Sequence, residues 1–253
     1  MKLHIIFAVV LAIVCSSAVI SVHAAEPDTL KIFDASEVSG GSLPENWEHV
    51  LPAGELVYTN YSVERSIEGR YLRARSAATS SYLELNVEDI SGKGEIDVEE
   101  YSTLRWQWKA DSFPEVEWEE RPGEDDFTLR IELVYDFKGS ALNPLNHIRK
   151  GLVTSLFGWY PPQHIISYVW AVNVPIGEAY KSPREKRTTV IPVESTEYIV
   201  NRWMTEEIDI FPHIKEAYTE RKLYLKKIRI RADTENTESM TESGLKFISL
   251  IKK

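Results

Sequence analysis

The feature that most constrains this chain is a two-residue alternation of oily and polar side chains. Between Asp125 and Asp136, Phe127, Leu129, Ile131, Leu133 and Tyr135 occupy every second position. Thr128, Arg130 and Glu132 fall between them, and carboxylates stand at both ends. Successive side chains of an extended strand point to opposite faces, so this segment reads as a central strand with one dry face. The pattern returns in Thr103 to Lys109, where Leu104, Trp106 and Trp108 oppose Arg105, Gln107 and Lys109.

Shorter alternating segments fill most of the remaining chain: 56–63, 70–75, 80–87, 166–172, 188–193, 203–210, 223–232 and 245–250. Turn signals such as Gly40-Gly41-Ser42 and Ser91-Gly92-Lys93-Gly94 separate them. Many short strands so punctuated predict an all-β fold, a jelly-roll-like antiparallel β-sandwich with one or two short helices. Pro192 hints that its strand lies at an edge. One helix is expected after Pro144, with Leu145, Ile148, Leu152 and Leu156 at helical spacing, and a second over 212–221. The 144–160 insertion reads as a rim element covering a sheet edge.

Residues 1–24 have the make-up of a signal peptide: Lys2, an apolar run from Ile5 to Val14, and Val22-His23-Ala24 before the cut. Export to the periplasm or beyond is therefore expected, with residues 25–253 forming a single β-sandwich domain and no mature transmembrane helix. Cleavage removes Cys15, the one cysteine, which excludes disulfide and thiolate chemistry. The formal net charge of −10 argues against nucleic acid or an anionic membrane as partner. No internal repeat or linker divides the chain, and the pattern says nothing of oligomeric state.

Leu104-Arg105-Trp106-Gln107-Trp108-Lys109, Asp125-Asp126 with Arg130, Tyr168-Val169-Trp170, Trp203 and Asp233-Thr234-Glu235-Asn236-Thr237 occur in that order. Together, over roughly Phe33 to Phe247, they resemble a family of bacterial exported proteins catalogued only as a domain of unknown function. Glu235 and Glu238 depart from its pattern, which has Asp at the first position and usually Gly at the second. The resemblance implies a jelly roll similar to carbohydrate-binding modules and an envelope location, with no established activity.

The residues themselves suggest three kinds of chemistry. Trp106, Trp108, Tyr168 and Trp170 could stack against sugar rings, although indoles alternating along strands equally fill a sandwich core. Arg130 could clamp Asp125, Asp126 or an acidic ligand. Asp125, Asp126, Asp233 and Asn236 are oxygen donors of the kind that suit calcium, although no calcium-loop motif is present and no cofactor is required. Glu95-Ile96-Asp97-Val98-Glu99 resembles the Glu-Ile-Asp-x-Glu signature of laminarinase- and lichenase-type β-glucanases. That resemblance implies Glu95 as nucleophile, Asp97 as its helper and Glu99 as acid/base. Its preceding glycines and the continued acidic run at Glu100 favour a solvated charged segment.

The expected function is non-catalytic binding of a saccharide or other cell-envelope ligand around Asp125, Asp126, Arg130 and the Asp233 loop. The alternatives are a retaining β-glucanase-like hydrolase using Glu95, Asp97 and Glu99, and an envelope scaffold docking partners through 144–160. The three differ in what they require: a polar hollow, a carboxylate cleft, or an exposed apolar patch.

Overall fold

The computed structural model describes residues 28–52, 56–138, 162–195, 199–217 and 221–253. The leader, the 144–160 insertion and Tyr218 lie outside them. Among the described residues the strands are β1 (Thr29–Asp34), β2 (Trp47–Val50), β3 (Asn60–Ser66), β4 (Gly69–Ala77), β5 (Tyr82–Asn86), β6 (Thr103–Ala110) and β7 (Phe127–Phe137). They continue with β8 (His164–Ala171), β9 (Tyr180–Lys181), β10 (Thr188–Ser195), β11 (Met204–Asp209), β12 (Leu223–Asp233) and β13 (Met240–Ile251). A single turn of 3-10 helix (Ala35–Glu37) and two short α-helices, α1 (Glu88–Ser91) and α2 (Phe211–Lys215), join them. The second expected helix is thus present but shorter. Gly92, at a φ of 63° that suits glycine, stops α1.

Two sheets face each other. One runs β11-β6-β13-β4-β3, with β1 also pairing β13; the other runs β2-β5-β12-β7-β8-β10-β9. Trp106 and Trp108 on the inner face of the first meet Tyr168 and Trp170 of the second, with ring centroids 5.8 and 5.5 Å apart. All four are fully buried. They are core, so the surface stacking platform expected of them does not exist. The cause is their phase: each occupies the apolar side of its strand, and a jelly roll closes over that side.

Two irregularities of strand pairing shape the outer face of the seven-stranded sheet. First, β10 runs parallel to β8, whereas the other strand pairs among the described residues are antiparallel. A parallel neighbour cannot be reached by a tight hairpin and needs a crossover, here residues 172–187. That crossover passes over the outer face of the seven-stranded sheet and brings Ser182, Arg184 and Glu185 against the Asp125 turn, Glu235 in the turn after β12, and Arg231 of β12. Second, the β12–β7 register shifts between Arg231 and Asp233. Phe127 accordingly leaves the main core and packs with Val169, Ala171, Val174 and Val190, with Tyr180 against them.

At the side of the sandwich, Glu194 of β10 shares a hydrogen bond with Glu206 of β11, and Trp108 Nε1 donates to Glu206 Oε1 at 3.2 Å. Burial first, and then Glu206, raise the Glu194 pKa from 4.5 to about 7. A carboxyl whose folded pKa is raised stabilises fully below its unfolded pKa and loses that contribution as pH climbs through the folded value. The contribution of Glu194 to stability should therefore fall between about pH 4.5 and 7, and Glu194→Gln should remove that part of the pH dependence of the melting temperature. Melting curves across that range test this; an unchanged slope in the variant would contradict it.

Candidate functional site

The outer face of the seven-stranded sheet carries an alternating charged lattice where a solvated sheet face would be merely polar. Arg130 and Glu132 project from β7 and Arg229 and Arg231 from β12, with Arg231 opposite Arg130 and Arg229 opposite Glu132. Glu84 of β5 takes Lys227 and, at 2.7 Å, Arg229. Arg130, Glu132, Arg231 and Asp233 are nonetheless buried. Burying a charge is costly unless it is paired, and pairing is what the register supplies here.

Arg130 donates to Asp233 Oδ2, and Arg231 Nη2 lies 3.4 Å from the same oxygen. Glu132 sits among three guanidiniums: Arg130 at 3.5 Å, Arg229 at 3.7 Å and Arg231 at 3.9 Å. These separations give Coulombic attraction without a hydrogen bond. From the turn before β7, Asp125 Oδ2 accepts from Ser182 Oγ at 2.9 Å. Asp126 accepts from Asn236 Nδ2 at 2.9 Å and from the Thr237 amide and hydroxyl at 2.8 and 2.7 Å. Asp126 therefore staples the β12–β13 turn to the start of β7, with Asn236 as a donor to it.

The electrostatics come from burial opposed by pairing. Burial raises Asp125 above the usual carboxylate range, against the pull of Arg130. Burial likewise lifts Asp233 to about 7, with Arg130 and Arg231 opposing and Asp126 and Asp125 adding to the rise. For Arg130, burial acts to lower the pKa, but Asp233, Glu132 and Asp125 outweigh it and the group stays firmly charged. Glu185 ends below its ordinary value because Arg231 and Arg130 overcome its burial.

Several buried polar atoms of this lattice make no hydrogen bond to any described residue. The acceptors are both oxygens of Glu132 and Oδ1 of Asp125; the donors are Nε of Arg130 and Nε of Arg231; Ser167 Oγ and Tyr180 OH can play either part. Ser167 lies directly opposite Glu132 on β8. Native proteins leave few such groups, and each costs about 1–3 kcal/mol if nothing meets it. Two hollows elsewhere, about 280 Å³ beside Tyr58, Arg73 and Arg75 and about 490 Å³ between Lys31 and Trp47, contain none of these atoms.

The structure thus brings Asp125, Asp126, Arg130, Asp233 and Asn236 together and leaves Trp106, Trp108, Tyr168 and Trp170 in the core. Sequence reasoning missed Arg231, Ser167, Tyr180, Ser182 and Glu185. Arg231 and Ser167 could have been found from their phase, since each alternates with core residues on a strand beside Arg130. One oxygen each from Asp126, Asp233 and Glu235 also gathers within 4.8 Å, a group able to hold a metal ion.

The Glu95 triad is arranged otherwise. Ile96 and Val98 turn into the core and only Ile96 bridges to Leu225, so no open strand presents the carboxylates. Lys226 lies 2.7 Å and Lys138 3.2 Å from Glu95, and together they hold its pKa below the usual value against its burial. Lys222 bridges Asp97 at 2.7 Å and Glu99 at 2.9 Å. Each of the three carboxylates is thus engaged by a lysine, where a retaining mechanism needs two of them open to the sugar. Among the described residues, no helix is long and apolar enough to cross a membrane.

Comparison with known proteins gives a family. Among curated proteins none matches the sequence. Among solved structures, the family 30 carbohydrate-binding module of a Clostridium thermocellum cellulosomal cellulase is 10% identical, covering 89% of this chain and 98% of that one with a TM-score of 0.43. An endoglucanase of Rhodothermus marinus is 11% identical over 90% of this chain and 97% of that one, with a TM-score of 0.45. A metagenome-derived family 12 endoglucanase is 13% identical over 82% and 92%, with a TM-score of 0.41. Each is a likeness of strand arrangement and carries no residue correspondence. The sequence profile described as "Protein of unknown function (DUF3047)" matches residues 45–249, most of the chain, and the protein belongs to that family.

Proposed function

We propose that this is an exported protein that binds a saccharide, or another polyhydroxylated component of the cell envelope, on the outer face of its seven-stranded sheet, without chemical turnover. The observation that carries this reading is the set of polar atoms on Arg130, Glu132, Ser167, Tyr180, Asp125 and Arg231 that make no hydrogen bond to a described residue. They are buried where Ser182 and Glu185 of the 172–187 crossover meet Asp125 and Arg231, so a sugar reaches them only when that crossover moves aside. Donors and acceptors are interleaved there, and a sugar hydroxyl both donates and accepts. A purely anionic ligand would satisfy the guanidiniums and repel Glu132 and Asp125; a cationic one would do the reverse. Hydrogen bonds to charged partners contribute about 1.5–3 kcal/mol each, so a few of them outweigh the cost of ordering a ligand. Turnover is excluded from the proposal because the lysine-bridged Glu95, Asp97 and Glu99 offer no open carboxylate pair.

A glycan array probed with the wild-type protein and with Glu132→Gln tests the reading. The expected result is retention of the wild type on at least one glycan class, lost in Glu132→Gln when that variant is probed well below its own, lower melting temperature. Glu132→Gln preserves size while replacing an acceptor-only group with a mixed one. Silence of the wild type across envelope and plant-type glycans would overturn the reading.

A further inference from the structure

We infer that the turn between β12 and β13 holds a calcium-sized, oxygen-preferring divalent cation through Asp126, Asp233 and Glu235. The inference concerns a different set of atoms from the proposed saccharide face and stands whether or not that face binds sugar. One carboxylate oxygen from each of the three residues lies within 4.8 Å of the other two. Oxygens so spaced can all be reached by one ion whose bonds are about 2.3–2.6 Å long.

The division of labour among the carboxylate oxygens supplies the independent observation. Asp233 commits Oδ2 to Arg130 and Arg231 and leaves Oδ1 buried with no partner among the described residues. Glu235 commits Oε1 to Arg184 and to Arg231 and leaves Oε2 buried in the same condition. The arginines thus hold one oxygen of each carboxylate and fix its orientation, while the second oxygen is left bare in a site of low dielectric. Asp126 is fixed from outside by Asn236 and Thr237: Oδ2 accepts from both the amide and the hydroxyl of Thr237, whereas Oδ1 accepts from Asn236 Nδ2 at 2.9 Å and from its amide only at 3.4 Å, so Oδ1 is the oxygen left with room for an ion.

Local charge points the same way. Asp125, Asp126, Glu132, Glu185, Asp233 and Glu235 still outnumber the guanidiniums of Arg130, Arg184, Arg229 and Arg231 around them. A divalent cation would offset that surplus without displacing an arginine. Carboxylates alone, with no thiolate and no imidazole in the group, favour calcium over zinc or copper. The ligands come from the start of β7 and from the β12–β13 turn, so the ion would tie together the segments that Asp126 already staples.

Calorimetric titration of chelator-treated full-length protein with calcium chloride tests the inference, alongside thermal melts with and without the ion. The wild type should bind one equivalent, and a hundredfold excess over Kd should raise the melting temperature by roughly 5–10 °C, reversed by EDTA. Glu235→Gln and Asp126→Asn should each weaken binding at least tenfold, while Ser167→Ala, on the saccharide face, should bind calcium like the wild type. No heat and no melting shift with calcium at millimolar concentration would overturn the inference. Equal binding by folded Glu235→Gln, or a preference for magnesium, would overturn it too.

Discussion

Arg130→Ala is expected to destabilise the protein by about 3–5 kcal/mol, the range found when one partner of a buried ion pair is removed. The cause is what remains. Asp233 would lose its closest guanidinium, Glu132 one of three, and Asp125 its nearest positive neighbour, all in a site closed to solvent. Arg130→Lys should recover part of the loss, since it restores charge without the planar fork. Arg130→Met combined with Glu132→Leu should cost clearly less than the sum of the two single changes, because the pair is removed together. Urea unfolding of these variants measures this. A loss below about 1 kcal/mol for Arg130→Ala would mean that the lattice is far wetter than its burial implies.

Trp108→Ala should cost about as much, roughly 3–5 kcal/mol, through an unrelated mechanism. Trp108 is fully buried where the two sheets meet, 5.4 Å from the Trp106 ring and 5.5 Å from that of Trp170. Its removal opens a cavity among large rigid rings that have little freedom to collapse into it. It also strips Glu206 of its indole donor. Trp108→Phe should recover most of the packing and none of the hydrogen bond, so the gap between the two variants reports packing and the loss that remains in Trp108→Phe reports mainly the Glu206 contact. A near-neutral Trp108→Ala in urea would contradict the placement of this ring at the centre of the core.

The strands are legible because burial on one face imposes a period that survives in the sequence. Leu104, Trp106 and Trp108 announce β6, and Leu129, Ile131, Leu133 and Tyr135 announce β7. Strand direction leaves no such trace, since parallel and antiparallel neighbours share the same side-chain period, and so the alternation gives no sign of the parallel β8–β10 pair. Phe127 falls in a different cluster from its neighbours on β7 because β7 carries an extra residue between Phe127 and Arg130 relative to β12, and such a bulge shifts the phase without any mark in the side-chain alternation. The start of β3 misleads for another reason: Leu56, Val57 and Tyr58 look strand-like but are exposed and precede the strand, which begins at Asn60.

The site is half legible. Asp125, Asp126, Arg130, Asp233 and Asn236 stand out as charged or polar groups beside strands, and they do converge. The crossover residues Tyr180, Ser182 and Glu185 have no periodicity to betray them; only the parallel topology explains why they reach the sheet. Glu206 does carry a signal, a lone carboxylate on the face shared by Met204, Ile208 and Ile210, and its partner Glu194 is the physical reason it is tolerated there. The aromatic residues mislead most, because the flat rings that suit a sugar are the same rings that fill a sandwich.

Ligand binding on the charged outer face is tested most directly by the affinity of the retained glycan, measured by calorimetry for three proteins: the wild type, Glu132→Gln and Trp203→Ala. Glu132→Gln alters the charged face of the seven-stranded sheet. Trp203→Ala alters the opposite outer face, where Trp203 packs edge-on to Tyr71 across Gly244. At least tenfold weaker binding is expected for Glu132→Gln, and wild-type affinity for Trp203→Ala. Wild-type affinity in Glu132→Gln, with binding lost in Trp203→Ala, would put the ligand on the other side of the molecule and contradict the proposed site.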